Sequence, residues 1–140
     1  MERKQMRRLL LRWGRTEQTC AERSEQIRQL EELLKQSRAA GSKALGEGEK
    51  AERWARLAGE YSQNIERLTR ECEEELRFAR EMDGLLGGLE PLDRRLLELR
   101  YRKGLSWIQV ARGVHYSVDR TKHKDAELAD RLARDLGTGI

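Results

Sequence analysis

With 39% of its residues charged and 37% hydrophobic, a chain of 140 residues supplies one small core and much exposed helix rather than a large interior. Aromatic residues make up 5% and the single proline is Pro91, which excludes an aromatic-rich β-sandwich and leaves almost the whole chain free to be helical. The net charge of +4 is uneven: nine basic residues between Arg94 and Lys124 are opposed only by Glu98 and Asp119, whereas Glu71–Glu75 is acidic, so a polyanion partner is expected at the C-terminal half alone.

Residues 1–38 read as one helix. Met6, Trp13, Cys20, Ile27 and Leu34 recur every seven positions, with Leu9, Leu10 and Leu30 beside them, a seam of nearly 3.5-residue spacing. Thr16 and Arg23 weaken its second row. Residues 39–49 carry Gly41, Ser42, Gly46 and Gly48 and read as a loop. A second helix is expected from Lys50 to Leu86. Trp54, Tyr61, Leu68 and Met82 form one of its rows; Ala58, Ile65, Cys72, Ala79 and Leu86 form the other, and Leu76 stands in beside Glu75. Gly59 inside it costs about 1 kcal/mol relative to Ala. Neither helix can bury its stripe alone, so residues 1–86 are expected to form a long hairpin or coiled-coil region, closed within one chain or shared in a homodimer.

Gly87 and Gly88 mark a hinge, and residues 87–140 read as a separate module. Pro91 suits a first helical turn, where its missing N–H costs nothing. Leu92, Leu96, Leu97, Leu99 and Tyr101 supply a buried side, and Gly104 a left-handed stop. Ser106-Trp107-Ile108-Gln109 has the S-x-x-Q pattern of a capping box. The helix that follows carries Ile108, Val110, Ala111 and Val114, with Ala111 facing its neighbour at close range. His115 and Tyr116 make the turn. Ser117 caps the last helix, whose inner face is Val118, Thr121, Ala129 and Leu132.

That order is a helix-turn-helix whose last helix would enter a major groove of double-stranded DNA. Arg120 is the first choice for a base contact, because its forked donors match guanine O6 and N7. Lys122, His123 and Lys124 are the other polar groups on this helix. Ser117, Tyr116 and Thr121 are candidates for phosphate positioning. Arg100, Arg102, Lys103 and Arg112 are candidates for backbone contacts, which add affinity without sequence information.

The order L-x-x-L-D-R-R-x-L-x-x-R-Y-x-x-G-x-S-W-x-x-V-A, then Y-S, is carried by Leu89, Leu92, Arg94, Arg95, Leu97, Arg100, Tyr101, Gly104, Ser106, Trp107, Val110, Ala111, Tyr116 and Ser117. It resembles the −35-reading domain of bacterial sigma factors. It resembles still more the phage-encoded sigma-like transcriptional regulators of the ArpU and RinA type. The match covers about the last third of the chain; in the rest only the layout is similar. The resemblance implies a phage or prophage regulator of late or structural genes, with RNA polymerase as a second partner. The chain departs from the pattern twice. His115 stands where Gly is usual, although His tolerates a left-handed backbone better than most residues. Lys124 stands where an apolar residue usually enters the core, so either its stem snorkels or the helix is rotated or shorter than the pattern suggests.

Other chemistries find no support. Cys20 and Cys72 are isolated, which excludes a zinc motif and fits a reducing compartment. There is no Gly-rich phosphate loop, HExxH, GxSxG or acid pair in a desolvating context, so neither an enzyme, a cofactor nor a small-molecule substrate is expected. The longest apolar run near the start, Leu9–Leu11, is too short for a signal peptide or a membrane span, and a cytoplasmic protein is expected. Two other readings compete: a phage DNA-packaging subunit of the small-terminase type, and a coiled-coil scaffold that binds only protein.

Overall fold

The computed structural model describes residues 1–44 and 48–138. Among these the chain is all-α: α1 (Arg3–Gly14), α2 (Thr16–Lys43), α3 (Glu49–Leu86), α4 (Pro91–Leu97), a π-helical turn (Glu98–Arg102), α5 (Trp107–Val114) and α6 (Val118–Thr138). None of these helices is long and apolar enough to cross a membrane.

The single helix expected over residues 1–38 is two helices. Helical geometry fails at Arg15 (φ −98°, ψ 1°), directly after Gly14, whose backbone packs against the Tyr101 carbonyl. The loop expected from residue 39 begins later, because α2 runs on through Gly41 to Lys43. Ala39, Ala40 and Lys43 are good helix formers, and one glycine costs too little to stop the helix. Gly46 and its neighbours at 45 and 47 lie outside the described residues. Gly48 takes a left-handed φ of 96°, and Glu49 then opens α3.

The chain divides into two compact units: residues 18–76, and residues 1–17 together with 77–140. The division differs from the boundary expected at Leu86/Gly87, since α1 and the end of α3 join the C-terminal elements.

Unit 18–76 is a helical hairpin closed within one chain. The Cys72 thiol donates to the Cys20 carbonyl at 3.8 Å, and Arg23 pairs with Glu71 at 3.1 Å. Gly41 faces the other end of the pair, where an added Cβ would lie 3.5 Å from that of Trp54. Numbers that rise along α2 thus meet numbers that fall along α3, which makes the pairing antiparallel. Leu68 and Ser37 are buried in this hairpin, whereas Cys20, Ile27, Leu34, Tyr61, Ile65 and Cys72 are half-buried. Trp54 and Leu76, placed in the seam by periodicity, remain 37% and 49% exposed. Two helices share only one narrow seam, and the edges of each apolar stripe stay in water.

The other unit holds the main core. Met6, Leu10 and Trp13 of α1 pack with Met82, Leu86, Leu89, Leu96, Leu97, Tyr101, Val110, Val114, Leu128 and Leu132. Pro91 occupies the first turn of α4 as its chemistry predicts. The helix does not continue as α through Tyr101. It widens into the π-turn, where the Lys103 N–H donates to the Glu98 carbonyl at 2.9 Å. Gly104 then takes φ 65°, and the Leu105 N–H closes the end on the Leu99 carbonyl at 3.1 Å. Leu92, assigned to the buried side of this segment, is exposed.

Candidate nucleic-acid interface

Local chemistry sets α5 and α6 in place. The Gln109 N–H donates to Ser106 Oγ at 3.3 Å, and the Ser106 N–H donates to Gln109 Oε1 at 3.0 Å, the reciprocal pattern that S-x-x-Q predicts. At the other end of α5, Arg95 Nε donates to the Gly113 carbonyl at 3.0 Å. His115 then adopts the left-handed conformation, with φ 61° and ψ 37°, so it fills the glycine-like position without preventing the turn. Ser117 Oγ accepts from the Arg120 N–H at 3.1 Å and caps α6. Ala111 is buried, as a close approach between helices requires.

The periodicity of α6 sorts its polar side chains. Thr121, Asp125, Leu128, Ala129 and Leu132 are buried and define the inner face. Asp119, Arg120 and His123 lie on the opposite, exposed side in the first turns. Lys122 and Lys124 project from the two flanks. Arg120 extends its guanidinium over the Tyr116 ring, 4.2 Å from the centroid, which restrains it at the start of the helix. His123 Nε2 lies 3.0 Å from Glu127 Oε1, one turn along.

Some expected contacts are engaged elsewhere. Thr121 is fully buried and its hydroxyl donates to the Ser117 carbonyl at 2.8 Å. It is a packing residue and cannot reach a phosphate, which corrects the role read from its position near the helix start. Lys124 neither enters the core nor points to open solvent. Its Nζ lies 3.6 Å from Asp93 Oδ1 on α4, and Asp93 is only 6% exposed, so the lysine stem snorkels to a buried carboxylate. Arg102 stacks on Trp13 at 4.3 Å and lies 3.7 Å from Asp83, which ties it to the core. Lys103 and Arg112 are exposed. Arg100 stacks on Trp107 at 4.1 Å and donates through Nη1 to the Leu105 carbonyl at 2.9 Å.

A buried polar triad lies beneath α6. Asp125 is fully buried on α6. Its Oδ1 accepts from the Tyr101 hydroxyl at 2.9 Å, and its Oδ2 accepts from Arg7 Nη2 at 2.9 Å and Nε at 3.2 Å. A lone buried carboxylate would be costly; three donors on two other elements offset that cost. Burial pushes the Tyr101 phenol far above its ordinary range, and the Asp125 charge adds to the shift. One turn and a half further along α6, Arg3 holds Asp130 with Nε to Oδ1 at 3.0 Å and Nη2 to Oδ2 at 2.7 Å. The hydrogen bond to Arg3 draws the Asp130 carboxyl below the usual carboxylate range.

Sequence reasoning missed Arg7 and Asp125. An aspartate in the apolar period of α6, four residues after Thr121, was the available signal. Nothing local points to Arg7, which lies 118 residues away from Asp125. Among the described residues no three His, Cys, Asp or Glu side chains cluster so as to hold a metal ion. Comparison of the chain with family models, curated proteins and solved structures finds no match.

Proposed function

We propose that the chain is a sequence-specific double-stranded DNA-binding protein that regulates transcription, of the phage sigma-like kind its last third resembles, with α5, the His115 turn and α6 acting as the helix-turn-helix. One observation carries the reading: the exposed first turns of α6, capped by Ser117 after the left-handed His115, present Arg120 stacked on Tyr116. A guanidinium held in this way is pre-organised for a bidentate contact to a guanine edge. The basic residues flanking the motif supply the non-specific attraction on which such a reader depends. Glu127 follows on the exposed part of α6, one turn after His123, and its charge favours groove entry by the N-terminal turns. The hairpin of residues 18–76 is the proposed site of homodimerisation and of contact with RNA polymerase.

Selection of bound duplexes from a random-sequence library near physiological salt tests this. Enrichment of a motif supports a sequence reader, and a palindromic motif supports a two-fold dimer. Retention without a motif would transfer the function to shape-level binding of the packaging-subunit kind. No retention at low salt would leave a protein-binding scaffold.

A further inference from the structure

Beside α6 lies an open cleft of about 630 Å³, lined by Arg7 and Leu11 of α1, Arg100 and Tyr101 of the π-turn, Trp107 at the start of α5, and Lys122 of α6. Among the described residues no acidic side chain lines it. The adjoining Asp125 sits fully buried behind Arg7 and Tyr101. Arg7 keeps 40% of its side chain exposed although two of its nitrogens reach Asp125. Its charge is largely balanced by that carboxylate, so it contributes fixed N–H donors, while Arg100 and Lys122 contribute net positive charge. The Trp107 ring and the Leu105 carbonyl hold the Arg100 guanidinium in place, so little side-chain freedom remains to be lost on binding.

We propose that this cleft takes the phosphodiester backbone of a DNA strand, and that the N-terminal helix α1 is therefore part of the nucleic-acid-binding surface. The inference rests on the helix-turn-helix reading above. A helix seated in a major groove about 12 Å wide has a phosphate strand along each flank. Lys122 projects from one flank of α6 into the cleft, and α1 forms the far wall. On the other flank Lys124 is committed to Asp93. The α1 side gathers the Arg7 N–H donors and the Arg100 and Lys122 charges in one cleft. Contacts made there position the duplex and carry no base information.

Leu11 provides the test, because it is 51% exposed and tolerates a polar side chain without loss of core. Affinity for a selected duplex and for an unrelated duplex is measured across a salt series for the wild type, Leu11→Glu, Leu11→Lys, Lys122→Gln and Arg120→Ala. Unchanged melting temperatures establish that the variants fold. Leu11→Glu is expected to weaken both duplexes by the same factor, and Leu11→Lys to strengthen both. Lys122→Gln is expected to lower the slope of log K against log salt by about 0.9. If the Leu11 and Lys122 variants match the wild type while Arg120→Ala loses affinity, the cleft assignment falls and the helix-turn-helix reading stands. A changed base preference in Leu11→Glu would also overturn a backbone role. If the wild type binds neither duplex at low salt, the helix-turn-helix reading falls and takes the cleft assignment with it.

Discussion

Gly14, the last residue of α1, lies against the backbone carbonyl of Tyr101 so closely that a Cβ at position 14 would run into the carbonyl oxygen. The contact joins the end of α1 to the π-turn, and the obstacle is backbone, which cannot swing aside as a side chain could. Gly14→Ala is therefore expected to destabilise the unit by about 1–3 kcal/mol, although alanine normally favours a helix. Gly84→Ala in α3, where nothing lies within 4 Å, should stabilise by up to about 1 kcal/mol. Thermal denaturation of the two variants gives opposite signs; a gain for Gly14→Ala would show that α1 does not dock on the π-turn.

Tyr101→Phe removes the donor to Asp125 Oδ1 and leaves a buried carboxylate oxygen without it. The expected cost is about 1–3 kcal/mol in denaturant unfolding. The pH dependence has a definite sign. The Tyr101 phenol ionises less readily in the folded chain than at its ordinary 10.0, so its contribution is intact below pH 10 and declines as pH rises above it. The wild type should lose stability more steeply above pH 10 than Tyr101→Phe does. Parallel curves would remove Tyr101 as the source of that alkaline loss.

The Cys72 thiol lies 3.8 Å from the Cys20 carbonyl, on the facing helix of the hairpin. Oxidation with diamide should produce a disulfide within one chain, visible as a faster monomer band on a non-reducing gel and absent from Cys20→Ser. Burial, then the neighbouring Cys72, pushes the Cys20 thiol upward, so the reaction should accelerate as pH rises above neutrality. A disulfide-linked dimer as the main product would assign the helix pairing to two chains instead of one.

On the proposed DNA-binding reading, substitutions at Arg120 and Lys103 should separate base reading from backbone attraction. Arg120→Ala is expected to cost about 1–3 kcal/mol on a selected site and to relax one base preference. Lys103→Ala should weaken all duplexes alike and flatten the salt dependence. Tyr116→Ala, which removes the ring beneath Arg120, should reproduce part of the specificity loss without changing the salt slope. Equal losses from the Arg120 and Lys103 substitutions on every duplex would take Arg120 off the list of base contacts.

The legible features were short-range ones. Pro91 at a first turn, Gly104 in a left-handed stop, the Ser106–Gln109 capping box and the Ser117 cap are set by a few consecutive residues and their hydrogen-bonding chemistry. The amphipathic reading of α6 agrees with the structure at Thr121, Ala129 and Leu132, all buried. It could not separate burial from availability for Thr121, whose hydroxyl suggested a phosphate partner while the tertiary environment made it a core residue.

Helical periodicity by itself determined the all-α class, the long amphipathic segments and the last two helices, because each depends on the spacing of apolar residues and on local caps. It could not say which stripe meets which. The heptad seam through Met6, Trp13, Cys20 and Ile27 looks continuous in the sequence, yet Gly14 and Arg15 interrupt it, and α1 belongs with residues 77–140. Only tertiary structure decided that Arg7 reaches Asp125, that Lys124 turns to Asp93, and that Trp54 and Leu76 stay exposed. The physical reason is common to all of them. A side chain's partner across 118 residues is chosen by the shared desolvation of a packed core, a property of the assembled surfaces that no local spacing encodes.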